Sequence, residues 1–120
     1  MSSSALAQPN AAAQAKAAAL YQRALKKSEA GDHVAAAALM IDAYTAAPQN
    51  AALANIGEEY RLGSRLEDAV KYYCLYLDKE PNGEFASQAT EQVILAQRKL
   101  GHNIETDSPC VVKKPTDVIP

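Results

Sequence analysis

Residues 53–60 read LANIGEEY and residues 69–76 read AVKYYCLY, with Gly63 between the two segments and Pro81 after the second. Apolar and small residues recur three or four positions apart in both, which is the period of a helix with one buried face. Glycine favours a helix end, and proline disfavours helical geometry in the residue before it. The stretch therefore predicts two helices joined by a short turn.

The same arrangement occurs once earlier in the chain. The two copies are separated by the sequence distance from Leu20 to Leu53, and we call this distance the repeat offset. At this offset five pairs of positions match in identity or size: Leu20 with Leu53, Ala24 with Gly57, Ala36 with Ala69, Met40 with Tyr73, and Pro48 with Pro81. A period of roughly 34 residues with two helices per unit is typical of helical-repeat proteins. We therefore expect one unit at about residues 17–49 and a second at about 50–82.

Helix start and stop signals divide the body of the chain into five predicted helices. They are expected at about residues 11–30, 33–46, 51–62, 64–80 and 83–101. Asn10 and Asp32 are candidate N-caps of the first two helices. Ser64-Arg65-Leu66-Glu67 reads as a capping box that opens the fourth.

The second unit resembles the tetratricopeptide repeat. In that family, small residues such as Gly57 and Ala69 let the two helices of a unit touch, and large ones such as Tyr60 and Tyr73 fill the gaps between units. The resemblance implies an all-α domain over residues 10–101. Its expected form is two antiparallel helix pairs plus a capping helix at residues 83–101, which together make a fragment of a right-handed solenoid.

Residues 55–61, NIGEEYR, and residues 73–77, YCLYL, are also similar to short repeats of this kind in bacterial envelope proteins. Residues 1–9 are expected to be disordered. Within them, ALAQP at residues 5–9 resembles the end of a secretory signal, and it is either a remnant of one or a chance match. The resemblance suggests the bacterial periplasm or cell envelope, with the cytoplasm as the alternative.

Composition and motifs argue against several classes of function. The formal net charge is −2, so no basic excess favours nucleic acid as a ligand, and no apolar run approaches the ~20 residues of a membrane span. No phosphate loop, nucleophile motif or metal-ligand spacing is present, so we expect no enzyme, cofactor or metal site. The adjacent Glu58 and Glu59 are expected to be solvated or to line a groove. His33 and His102 are expected to be solvated residues at helix ends.

The segment at residues 102–120 contains three prolines and no helical period, so it is expected to be extended, and mobile unless it docks on the body. The two cysteines leave two states open. Two free thiols, with Cys110 exposed, is the simpler expectation. If the chain is exported, Cys110 could instead reach Cys74 and pin the tail to the last helix pair.

The expected function is a protein-interaction module that binds a peptide or partner protein on the concave face of the repeats. The candidate residues on this face are Tyr21, Leu25, Asn55, Glu58, Arg61 and Leu62. Asn55 is the most suggestive, because tetratricopeptide repeats use an asparagine there to hold a ligand's backbone. The alternative is a structural domain of a larger envelope protein, either a spacer or a self-association unit that forms a homodimer, because two repeats make few neighbour interfaces.

Overall fold

The computed structural model of the protein describes residues 10–114. The expected N-terminal segment and residues 115–120 of the tail lie outside the described residues. The elements are α1 (Ala11–Glu29), α2 (His33–Ala46), α3 (Asn50–Leu62), α4 (Leu66–Lys79), α5 (Ala86–Lys99), β1 (Ile104–Glu105) and β2 (Ser108–Val112). The protein is thus mostly helical, as predicted. Between residues 11 and 100 all regular structure is helical, and the two strands come after it.

Side-chain caps begin the first two helices where the sequence predicted them. The Asn10 side chain accepts a hydrogen bond from the backbone N–H of Ala13 at 2.7 Å, and Asp32 accepts one from that of Ala35 at 3.4 Å. Because the first backbone N–H groups of a helix have no partner inside it, these bonds help to fix where α1 and α2 begin.

The predicted capping box at the start of α4 is wrong. The helix begins at Leu66, its N-cap is Arg65, and no side chain caps it. Ser64 instead belongs to the end of α3, where it adopts a left-handed backbone with φ 63°. The backbone N–H of Arg65 then donates to the carbonyl of Tyr60 at 2.8 Å, which closes the C-terminus of α3.

The turn between α1 and α2 has the same geometry, one repeat offset earlier in the chain. Gly31 is left-handed with φ 83°, and the backbone N–H of Asp32 donates to the carbonyl of Lys27 at 2.8 Å. The helix bounds follow the same spacing, since α2 and α4 both begin and end one repeat offset apart. The turn before α5 is longer than the one before α3, so α5 begins at Ala86 rather than near Gly83.

Each helix packs chiefly on its neighbours along the chain. The core consists mainly of alanines and Met40 in the first helix pair, and in α4 the aromatic side chains of Tyr73 and Tyr76 are buried. A Cβ atom at Gly57 would lie 2.9 Å from Cγ of the Tyr73 ring, and the contact of Gly57 with Ala69 stays a prediction. A glycine is needed there because the tyrosine ring occupies the space of a Cβ atom.

The tail docks on the body as a β-hairpin. β1 and β2 pair antiparallel, and Pro109 is buried against α5, where its carbonyl accepts a hydrogen bond from Nε2 of Gln97 at 3.0 Å. A disulfide joins Cys74 in α4 to Cys110 in β2, so the expectation of two free thiols is wrong and the alternative pairing is present. Periodicity could not predict this, because the pairing depends on how the tail folds back.

Candidate functional site

A groove of about 430 Å³ lies between the first half of α1, the second half of α2 and the first half of α3. We call it the alanine groove. Its lining residues are Gln14, Ala17, Ala18, Tyr21, Met40, Ala43, Tyr44, Ala47, Gln49, Ala51, Ala52 and Asn55. None of the twelve carries a charge, and six are alanines, so the groove is apolar with a few polar groups, as binding sites for small ligands and peptides commonly are.

Two of the predicted site residues, Tyr21 and Asn55, meet in the alanine groove. Nδ2 of Asn55 lies 3.4 Å from the Tyr21 hydroxyl, which is long for a hydrogen bond. Both side chains are partly buried. An amide side chain has both donor and acceptor atoms, and a bond this long is weak enough to be exchanged for one to a ligand.

Glu58 and Arg61 form a second group with Tyr73. Arg61 makes a bidentate ion pair with Glu58, with Nε–Oε1 at 3.0 Å and Nη2–Oε2 at 2.5 Å, and the Tyr73 hydroxyl donates to Glu58 Oε1 at 2.5 Å. The hydrogen bond from Arg61 is the main cause that lowers the pKa of Glu58 below 4.5, and burial opposes it. Burial, and then the bond to Glu58, raises the pKa of Tyr73. The two opposite charges on this helix face therefore compensate each other.

The six predicted site residues do not share one cavity. Arg61 lines a second hollow, between the end of α3, the start of α4 and α5, whose other cations are Arg98 and Lys99. Leu25 packs against the core, and Leu62 is 44% exposed in the last turn of α3.

Sequence reasoning missed the role of Glu59. It is buried, whereas we expected a solvated or groove-lining residue, and its two oxygens bond to the Ser28 hydroxyl at 2.9 Å and to Nδ1 of His33 at 2.8 Å. The expectation that His33 is solvated is thus also wrong. His102 is likewise half-buried, with Nδ1 at 2.7 Å from Oε1 of Gln97. Glu58 and Glu59 are adjacent in the sequence, and the sequence alone does not indicate which of the two side chains faces the first helix pair.

Sequence reasoning also missed the alanines and Tyr44 that shape the alanine groove. A signal was present, because Ala43 and Tyr76 are equivalent positions of α2 and α4 at the repeat offset. When one of two equivalent buried positions has a large residue and the other has alanine, a cavity is expected beside the alanine. Comparing side-chain volumes along the two units would have found it.

Comparisons with known proteins identify no relative: no family model, no curated protein and no solved structure matches the chain. Over residues 10–114, no helix is both long and apolar enough to cross a bilayer. Within the same range, no group of three or more histidine, cysteine or acidic side chains is placed to hold a metal ion.

Proposed function

We propose that the protein is an interaction module that binds an extended peptide segment of a partner protein in the alanine groove. The observation that carries this proposal is the uncharged groove with the Asn55 amide and the Tyr21 hydroxyl on its wall. The groove is held between three packed helices, so a peptide can be ordered without reorganising the protein. Polar groups on an otherwise apolar wall suit a backbone, whose N–H and C=O groups need partners when they are buried.

We further propose that the two helix pairs are related as repeats of the tetratricopeptide kind, with α5 as the capping helix. Two observations support this proposal: α2 and α4 have the same bounds at the repeat offset, and the turns before them carry matching backbone hydrogen bonds. The disulfide supports export to an oxidising compartment such as the periplasm or cell envelope, because disulfides form and persist in such compartments.

The test is a random-peptide display selection on the full chain, followed by affinity measurements with variants. Asn55→Ala should weaken the selected peptides at least tenfold and leave the melting temperature within a few degrees. Lys71→Ala, on the exposed face of α4, is the matched surface control and should bind like the wild type. If Asn55→Ala and Tyr21→Phe bind normally while Lys71→Ala does not, the groove is not the site.

Self-association is the second candidate function, and one observation favours it. Val34 and Leu62 are 38% and 44% exposed, and Gly63, next to Leu62, lies against the Val34 side chain. The exposed Val34 side chain therefore lies beside the end of α3, and exposed apolar side chains near one another can mark an interface. Sedimentation at two concentrations tests it: a dimer in the wild type should become a monomer in Leu62→Ser, and a concentration-independent monomer in both rules it out.

A further inference from the structure

The alanine groove has a filled counterpart at the other end of the molecule. At the junction of α4 and α5, Tyr76 is buried, its ring centroid lies 6.1 Å from that of Phe85, and its hydroxyl accepts a hydrogen bond from the backbone N–H of Phe85 at 3.0 Å. The chain thus closes this junction with its own aromatic side chains. Aromatic pairs at this spacing attract each other beyond the area that they bury.

The junction of α2 and α3 lacks that aromatic filling. Ala43 occupies the position in α2 that Tyr76 occupies in α4, because the two helices have the same bounds at the repeat offset. The turn that follows contains Ala47 and Pro48, and α3 then adds Ala51 and Ala52 to the wall. The alanine groove thus has a methyl group at the position where the other junction has an aromatic side chain.

We infer that the peptide bound in the alanine groove is anchored by an aromatic side chain, phenylalanine or tyrosine, inserted between Ala43 and Ala52. This inference rests on the proposed function and names its ligand class. The side chain would take the place at the first junction that Tyr76 takes at the second. Residues beside the anchor would be uncharged, because no lining residue of the groove is charged and a charge buried there would lack a partner.

The surroundings of the anchor also suit an aromatic ring. Tyr44 and Tyr21 line the same groove and are partly buried, so both offer ring surface to a bound side chain. Asn55 is placed on the α3 wall to pair with the peptide backbone beside the anchor. An aromatic residue in a preformed pocket is a common kind of binding anchor, because it brings a large apolar area with few rotatable bonds.

The experiment is an NMR titration of the ¹⁵N-labelled full chain with three capped peptides, Gly-Ser-Ala-X-Ala-Ser-Gly, where X is phenylalanine, alanine or lysine. The phenylalanine peptide should shift the amide signals of Ala43, Ala52 and Asn55, and should bind at least tenfold more tightly than the alanine peptide. The lysine peptide should bind no better than the alanine peptide. Equal affinity of the alanine and phenylalanine peptides would overturn the inference.

A variant that fills the groove from within gives an independent test. Ala43→Phe should abolish binding of the phenylalanine peptide while the melting temperature stays at or above that of the wild type. Ala38→Phe, on the exposed face of the same helix, is the matched control and should bind normally. Undiminished binding by folded Ala43→Phe would overturn the inference, and if that variant does not fold, the peptide series decides.

The two proposals fail in different ways. Groove-dependent binders from the display selection that lack an aromatic residue would overturn the anchor and leave the proposed function standing. Both the anchor and the proposed function would be overturned if the selection yields no groove-dependent binder and none of the three peptides shifts an amide signal in the titration.

Discussion

Gly57 in α3 and Tyr73 in α4 are in direct contact, since a Cβ atom on Gly57 would lie 2.9 Å from Cγ of the tyrosine ring. We therefore expect Gly57→Leu to lower the free energy of unfolding by about 1–3 kcal/mol or more, because overpacking a buried contact forces side chains or backbone to shift. Denaturant unfolding followed by circular dichroism measures this change. An unchanged midpoint would show that the ring moves away at no cost.

The first helix pair provides a matched control for this contact. Ala24 and Met40 are the buried residues at the positions equivalent to Gly57 and Tyr73. In the first helix pair the small residue is thus larger than glycine, and its counterpart is slimmer than tyrosine. The double variant Gly57→Ala/Tyr73→Met copies that pair. It should be more stable than the sum of its single variants implies, by about 0.5–3 kcal/mol of coupling, the range for residues in contact.

Helix ends could be predicted from local signals. The prediction that failed, the capping box at Ser64, failed for a local reason. Gly31, Asp32 and Pro48 act within a few residues of their own helix, so five helices and the bounds of α2 could be predicted from the sequence. Ser64 could either cap α4 or end α3, and both roles are local. The structure gives it the second role, with the left-handed backbone that glycine has at position 31.

The candidate site was predictable only in part, because its geometry depends on distant segments. Asn55 and Tyr21 could be placed on one face only through the resemblance to the tetratricopeptide repeat. The burial of Glu59 depends on Ser28 and His33, which α1 and α2 bring to it from the preceding helix pair. Docking of the tail likewise depends on Gln97, whose partner Pro109 has no periodic signal.

Tyr73→Phe should destabilise the protein at neutral pH by about 1.5–3 kcal/mol, since the lost hydrogen bond is to a charged group. The pKa of Glu58 is lowered in the folded state, so its stabilisation is fully present above the unfolded value of about 4.5. That stabilisation is lost as the pH falls through the lower, folded-state pKa. The cost of Tyr73→Phe should therefore shrink between pH 7 and pH 3.

Tyr72→Phe is the control for that experiment. Tyr72 is next in sequence and its ring contacts Tyr60 and Lys71, contacts that phenylalanine retains. It should change the free energy of unfolding by no more than about 0.5 kcal/mol at either pH, because the ring and its packing contacts are retained. A cost of Tyr73→Phe that is the same at pH 7 and pH 3 would contradict a bond to ionised Glu58.

The disulfide should hold the tail hairpin on the body. The unreduced, denatured protein should contain no free thiol, and two free thiols per chain would contradict the pairing. Replacing both cysteines, Cys74→Ser/Cys110→Ser, should lower the free energy of unfolding by up to about 4 kcal/mol, the chain-entropy value for a sequence separation of 36. Hydrogen exchange should then speed up in β1 and β2, while α1 to α3 keep their protection.

Glu59→Ala should destabilise the protein by about 1–3 kcal/mol, because it leaves the Ser28 hydroxyl and the His33 ring without their acceptor in a partly buried site. Glu67→Ala is the matched control, since that glutamate is exposed in the first turn of α4 and should cost about 0.5 kcal/mol or less. Glu59→Gln keeps the shape and one acceptor oxygen, so its cost should fall between the two. Chemical denaturation of all three variants at pH 7 measures the series. Equal costs for Glu59→Ala and Glu67→Ala would show that the bonds from Ser28 and His33 add nothing to the packing of α3 on the first helix pair.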